Sequence, residues 1–226
     1  MNQYIVFDCY QTLIHKKNCE KMVRSFSRNV LRRAVPLPSI KQAYDIIYDR
    51  HKFRHPRFET QEERENFYIR YNTELFKIIG ISISTRQAFE LYKHLKKSAW
   101  SCYSDTLTAL KDLKAKEIPM GLIANWTNTL DRVLEEAKLT LYFNFVHSSH
   151  NLRLQKPNPK IFTKTLASVI KRFDKIYYVG NDYELDITPA REAGLIPILI
   201  DREHRYPDSV DCVRIQKLTD LGKIVK

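Results

Sequence analysis

The chain reads as an α/β protein: a Rossmann-like parallel sheet wound with helices on both faces, interrupted after its first strand by an all-helical module. Three observations carry this reading. A short apolar run, Tyr4-Ile5-Val6-Phe7, ends at Asp8 as a buried strand would. From about His15 to Ser98 apolar residues recur with a helical period. Beyond Ser98, short apolar runs alternate with amphipathic helices, the pattern of strand–helix–strand units. The predicted division is therefore 1–14 and 99–226 for the sheet, and 15–98 for the helical module.

Within the module, Met22, Phe26 and Val30 recur at i, i+4 and i+8 and predict the buried face of a first helix. Pro36 and Pro38 separate it from the next. A later helix opens on Glu62-Glu63, carries Phe67, Tyr71, Leu75 and Ile78 on one face, and stops where Gly80 supplies a C′ residue. A helix near Asp105–Lys116 then leads to a strand at Pro119–Ala124, and a helix at Thr129–Ala137 to a strand at Phe143–His147. Helix Pro159–Lys171 precedes strand Ile176–Val179, and helix Thr188–Ala193 precedes strand Ile196–Ile200. Right-handed crossovers are expected. Ligands of such sheets sit beyond the carboxyl ends of the strands. Asp8, Asn125, Lys156 and Asp182 all follow a strand or lie in the loop after one, so residues far apart in sequence should converge on one edge.

Composition narrows the function classes. With 226 residues, 43% hydrophobic and 28% charged, the chain has the makings of a sizeable core and does not resemble a disordered one. No apolar run approaches the roughly 20 residues that span a bilayer. Met1-Asn2-Gln3-Tyr4 lacks the basic start of a signal peptide. The expectation is a cytoplasmic protein with no membrane partner. Cys9, Cys19, Cys102 and Cys212 stand far apart, which fits a reduced compartment and not a thiolate zinc site. No G-x-G-x-x-G or P-loop is present, so neither a dinucleotide nor an NTPase cradle is expected. Charge is uneven: residues 15–98 hold 19 Lys/Arg against 9 Asp/Glu, a net +10 within a chain of net +12. Such a surface either keeps the protein soluble or draws in anions. A small anionic substrate is the favoured partner. Nucleic acid is a weaker candidate, because no zinc finger or RNA-recognition signature accompanies the basic residues.

Four segments together resemble the haloacid dehalogenase-like superfamily of hydrolases. They are Phe7-Asp8-Cys9-Tyr10-Gln11-Thr12-Leu13, Gly121-Leu122-Ile123-Ala124-Asn125-Trp126, Lys156-Pro157-Asn158-Pro159, and Val179-Gly180-Asn181-Asp182-Tyr183-Glu184-Leu185-Asp186. The resemblance covers essentially the whole chain and makes the helical module a cap. It implies a phosphatase-type hydrolase in which Asp8 is the nucleophile, forming an aspartyl ester that water then breaks. By the same resemblance Thr12 steadies the site with its hydroxyl, and Lys156 neutralises Asp8 and the transferred group. Backbone N–H groups of Asn125 and Trp126 would bind the substrate anion, with Tyr10 also at the substrate. Carboxylates beside Asp8 call for a cation, and hard oxygen ligands suit Mg²⁺. Asp8, the Tyr10 carbonyl, Asp182 and Asn181 are the implied ligands. Asp186 is either a residue supporting that set or the N-cap of the helix at Thr188–Ala193.

Two departures qualify this. Tyr10 stands where family phosphatases carry the acid that protonates the leaving group, and such help is typically worth roughly 10²–10⁴-fold. Ala124 stands where a Ser or Thr hydroxyl binds the anion, a loss of about 1.5–3 kcal/mol. Both should weaken turnover. Asp-x-Tyr-x-Thr also resembles the 2-haloacid dehalogenases, whose halide leaves unprotonated and which use no metal. The absent hydroxyl at Ala124, Phe162 in place of a Tyr, and the added acid argue against that alternative. A degenerate, non-catalytic binding protein is the third reading.

Overall fold

In the computed structural model, which describes residues 2–225, the chain forms two compact units. One comprises the chain up to His15 and from Trp100 onward, the other Lys16–Ala99. In chain order the elements are β1 (Gln3–Phe7), β2 (Ile14–Lys16), α1 (Cys19–Asn29), α2 (Leu37–His51), α3 (Gln61–Ile78), α4 (Thr85–Lys96), β3 (Trp100–Cys102) and α5 (Thr106–Ala115). There follow β4 (Met120–Ala124), α6 (Leu130–Glu136), β5 (Phe145–Ser148), α7 (Ser149–Leu152), α8 (Lys160–Thr165) and α9 (Ala167–Ile170). The chain continues through β6 (Lys175–Gly180), α10 (Thr188–Glu192), β7 (Ile196–Ile200), β8 (Val213–Ile215) and α11 (Leu221–Ile224).

The sheet is parallel, with order β5-β4-β1-β6-β7-β8. Strand alternation explains why β1 is apolar throughout. Ile5 and Phe7 enter the core on one face with Leu122 and Val179, while Tyr4 and Val6 enter the core on the other with Ile123 and Tyr178. The chain runs from β1 outward to β4 and β5, then returns to the far side of β1 as β6. The crevice of such a sheet lies where the order reverses, at the carboxyl ends of β4, β1 and β6. The Asp8 N–H extends the ladder by one bond to the Val179 carbonyl at 2.8 Å, so the residue after β1 stays locked to β6.

The helical unit has its own core of Val23, Phe26, Ile40, Ile47, Leu75, Phe76 and Leu91. Capping boxes start α3 (Thr60 with Glu63) and α4 (Ser84 with Gln87). Gly80, at φ 84°, closes α3 as expected, with the Ile81 N–H on the Phe76 carbonyl and its own N–H on that of Lys77.

Several sequence expectations are corrected. The buried face of α1 is Val23, Phe26 and Ser27, whereas Val30 lies past the helix end and is 49% exposed. Helix Pro159–Lys171 is broken at Leu166 into α8 and α9. There the Thr165 hydroxyl donates to the Ile161 and Phe162 carbonyls and competes with the backbone ladder. The strand expected from Phe143 begins at Phe145, after a 3₁₀ turn at Thr140–Tyr142. Strands β2, β3 and β8, each three residues long, carry too little pattern to be read from sequence.

Candidate active site

Asp8 leaves β1 at the switch point and is 7% exposed. Its two oxygens have different partners. Lys156 Nζ donates to Oδ1 at 2.6 Å, and Thr12 Oγ1 donates to Oδ2 at 3.1 Å. The turn that brings Thr12 back under Asp8 is built on Gln11, at φ 61°, with the Leu13 and Ile14 N–H groups bonded to the Cys9 carbonyl. The backbone thus aims a hydroxyl at the carboxylate from four residues away.

Lys156 is 2% exposed and spends all three ammonium protons on Asp8 Oδ1, on Asp186 Oδ1 at 2.5 Å and on the Tyr178 hydroxyl at 3.0 Å. Burial alone would lower this ammonium, but the carboxylates of Asp186 and Asp8 outweigh burial and hold it well above the ordinary lysine value. Its loop is clasped at both backbone atoms. Asn125 Nδ2 donates to the Lys156 carbonyl at 2.9 Å, and the Lys156 N–H donates to Asn125 Oδ1 at 2.8 Å. Asn125 is therefore joined to the site through its side chain, as the mount of the lysine.

Asp186 is not a helix N-cap. Helix α10 is preceded by Ile187, and a π-type turn at Tyr183–Ile187 swings Asp186 back toward β6. There its Oδ1 meets Lys156 and its Oδ2 accepts the Asp182 N–H at 3.0 Å. Gly180 makes room for this. A Cβ on it would stand 2.3 Å from Asp186 Cγ. Burial pushes the Asp186 carboxyl up to about 6 against the pull of Lys156, and the like charge of Asp8 adds to the rise.

Asp182 follows β6 and is buried. Its Oδ1 accepts from the Glu184 and Leu185 N–H groups, both at 2.9 Å, so it caps the π-type turn. Asn181 is the residue that reaches the nucleophile's loop. One end of its amide lies 2.8 Å from the Tyr10 carbonyl and 3.3 Å from Thr12 Oγ1, and the other lies 3.3 Å from the Arg205 guanidinium. With nitrogen toward Tyr10, the amide donates to that carbonyl and to Thr12, while its oxygen accepts from Arg205. The hydroxyl proton of Thr12 is then free to serve Asp8. With oxygen toward Tyr10, two acceptors face each other, a contact that a cation between them would resolve. In that second orientation the Tyr10 carbonyl and Asn181 offer hard oxygens of the kind Mg²⁺ takes. No group of three His, Cys, Asp or Glu side chains with metal-binding placement occurs among the described residues.

The Trp126 N–H, expected to bind the substrate anion, donates instead to Ser149 Oγ at 3.1 Å. Of the two proposed backbone donors, only that of Asn125 is left to the reading.

Three participants escaped sequence reasoning. Tyr178 passes a hydrogen bond from Lys156 to the Ile123 carbonyl at 3.0 Å. The signal was available, since a tyrosine inside a buried strand needs a partner for its hydroxyl. Arg205 and Tyr206 both donate to the Asn181 carbonyl at 3.4 Å. Their loop is pinned by Asp201 at the end of β7, which accepts the N–H groups of Arg205 and Tyr206. Nothing local in the sequence marks that loop.

Comparison with known proteins points to one family. The family model described as haloacid dehalogenase-like hydrolase matches residues 5–200. Haloacid dehalogenase-like hydrolase domain-containing protein 3 of Danio rerio is 28% identical over 112 residues, half of this chain and 46% of that one, so the match spans about half that relative's length. A glyceraldehyde 3-phosphate phosphatase of Methanothermobacter thermautotrophicus is 24% identical over 237 residues, covering 100% of both chains. An (S)-2-haloacid dehalogenase of Pseudomonas putida is 22% identical over 169 residues, 74% of this chain and 73% of that one. Among solved structures, a HAD phosphatase from Thermococcus onnurineus superposes with a TM-score of 0.61 at 20% identity, over 100% of this chain and 98% of the other. No helix among the described residues is long and apolar enough to cross a membrane.

Proposed function

Because the chain belongs to the haloacid dehalogenase-like hydrolases, we propose that it is a phosphatase of small phosphorylated molecules, with Asp8 as nucleophile. The observation that carries this reading is the buried ammonium of Lys156, held 2.6 Å from Asp8 and 2.5 Å from Asp186. A carboxylate paired with a fixed cation at the switch point of an α/β sheet is placed to act as a nucleophile. The relative named a glyceraldehyde 3-phosphate phosphatase, alignable from end to end, supports the phosphate ester as substrate class.

An oxygen of Asp8 attacks phosphorus while the bond to the leaving oxygen breaks, and the electron pair departs with that oxygen. Water then attacks the aspartyl phosphate, releasing phosphate and restoring Asp8. Thr12 orients the carboxylate, and Lys156 offsets its charge. Direct contact between Lys156 and the transferred group requires one of its three bonds to exchange. Mg²⁺ would be held by Asp8, the Tyr10 carbonyl and Asn181, and would supply positive charge to the transferred group. Tyr10 has no carboxylic proton to give, so the favoured leaving groups are those that depart unprotonated, acyl and aryl phosphates.

Phosphate release from acetyl phosphate and phenyl phosphate, with and without Mg²⁺, tests this in wild type and Asp8→Asn. Release by wild type and none by the variant is expected. Equal rates in the two would sink the reading. A metal-free dehalogenase is the second reading, favoured by one observation: the Asn181 amide can close onto the Tyr10 carbonyl at 2.8 Å without a cation. Halide release from 2-chloropropionate that EDTA leaves unchanged would establish it in place of the first.

A further inference from the structure

The groups lining the Asn181 amide differ in the hydrogen bonds open to them. The Tyr10 carbonyl, 2.8 Å from one end, can only accept. The Arg205 guanidinium, 3.3 Å from the other end, can only donate. The Thr12 hydroxyl at 3.3 Å and the Gln11 amide at 3.1 Å can each do either. The two fixed neighbours agree on one orientation, nitrogen toward Tyr10 and oxygen toward Arg205, and the two adaptable ones follow.

A cation changes one of these preferences and not the other. Mg²⁺ beside Tyr10 takes oxygen ligands, so it needs the amide turned, oxygen toward the carbonyl. The same turn sets the Asn181 NH₂ against the Arg205 guanidinium at 3.3 Å, donor to donor. Gln11 can take one proton of that NH₂, but nothing on it can accept from Arg205. Asn181 is 5% exposed, so little water reaches the mismatch.

Arg205 is delivered by a fixed loop. Asp201, buried directly after β7, accepts the Arg205 and Tyr206 N–H groups at 2.8 and 3.1 Å. Arg214 donates to the Tyr206 carbonyl at 2.8 Å. The Arg205 guanidinium also reaches the Asn181 main-chain carbonyl at 3.4 Å, which anchors it beside the amide.

We propose that Arg205 is a brake on cation binding: it holds the Asn181 amide with its oxygen outward, so that Mg²⁺ must displace that bond before it can use the oxygen. The proposal rests on the Mg²⁺ site of the phosphatase reading. Arg205 is a positioning residue that acts through Asn181. Its charge also repels Mg²⁺ through space, a force that about 1 M salt confines to about 3 Å. The choice of amide orientation survives such screening.

The test is calorimetric titration of Mg²⁺ into the protein without substrate, for wild type, Arg205→Met and Arg205→Lys. The N–H of residue 205 stays on Asp201 in all three, and thermal melts verify that they fold. Methionine removes charge and donors, whereas lysine keeps a charged donor without the planar fork. Arg205→Met should bind Mg²⁺ about three- to tenfold more tightly, the equivalent of one hydrogen bond. Arg205→Lys should fall between it and wild type, and the gain should persist in about 1 M KCl. Unchanged or weaker Mg²⁺ affinity in Arg205→Met overturns the brake, as does a gain that salt abolishes or a lack of Mg²⁺ binding in all three proteins. Phosphate release by wild type beside any of those results leaves the phosphatase reading standing. Tighter Mg²⁺ binding in Arg205→Met, with no phosphate release from acetyl or phenyl phosphate, supports the brake and refutes that reading.

Discussion

Replacing Lys156 by Met removes the one cation that two buried carboxylates share, and the structure sets the expected cost. Asp8 and Asp186 accept from the ammonium at 2.6 and 2.5 Å, with side chains only 9% and 2% exposed. Removing one partner of a buried ion pair costs about 3–5 kcal/mol. Here the survivors are two like charges, so the loss should lie at the upper end, about 4–5 kcal/mol at pH 7.5. Domain stability of about 5–15 kcal/mol leaves the variant folded but weakened. The pH dependence has a fixed sign. Without the ammonium, one carboxyl is raised further above its unfolded value, so the folded state binds the extra proton and gains stability as pH falls. Each pH unit between the two values returns about 1.4 kcal/mol. Urea unfolding followed by circular dichroism at pH 7.5 and 5.0 measures this. The double variant Lys156→Met/Asp186→Asn removes the second charge and should recover about half of the loss. A single variant as stable as wild type at pH 7.5, or a deficit that does not shrink at pH 5.0, would refute the electrostatic account.

Three further outcomes are expected. The folded Asp186 carboxyl titrates at about 6 against an ordinary 3.8, so its contribution to stability is complete below about pH 4 and lost as pH rises through 6. Measured by urea unfolding, the stability of wild type relative to Asp186→Asn should therefore drop by about 3 kcal/mol between pH 4 and 7. A flat difference would contradict it. Asn181→Asp adds a carboxylate beside the Tyr10 carbonyl and should tighten Mg²⁺ binding, read by calorimetry without substrate, by roughly tenfold. Gly180→Ala places a methyl 2.3 Å from Asp186 Cγ, which is not the end of a flexible chain. It should destabilise by more than about 3 kcal/mol, and a melting temperature near wild type would exclude that close approach.

The fold was legible because its signals are local and periodic. Five strands of the central sheet announce themselves as short apolar runs, and Asp8 and Lys156 are marked by what flanks them, a buried strand and a pair of prolines. Asp186 was ambiguous because the same residue type caps helices, and only the π-type turn at Tyr183–Ile187 decides between capping and holding a lysine. The choice between Asn181 and Asp182 has the same origin. Adjacent residues leave a strand end in different directions, and sequence carries no record of which one the turn consumes. Asn125 was placed at the site for its backbone, whereas its side chain does the holding, through two bonds to a loop 31 residues away. Arg205 and Tyr206 depend on Asp201 folding a loop back over β6, a tertiary event without a periodic trace.

Charge balance ties these residues together. In the Lys156 cluster two carboxylates, Asp8 and Asp186, share one ammonium, a surplus of one negative charge in surroundings where unpaired charge is costly. An acid at position 181 would make that surplus two, and a cation would become a structural necessity. Asn181 avoids this, since its amide can satisfy the Tyr10 carbonyl and Thr12 by hydrogen bonding alone. The Arg205 guanidinium, 3.4 Å from the Asn181 carbonyl, brings further positive charge to the same loop. The site is therefore able to hold its shape before any cation arrives, and ligand charge count sets cation affinity. Under the proposed phosphatase reading, the Mg²⁺ concentration that half-saturates phosphate release should be well above that of Asn181→Asp, and equal values would count against the amide as the cause.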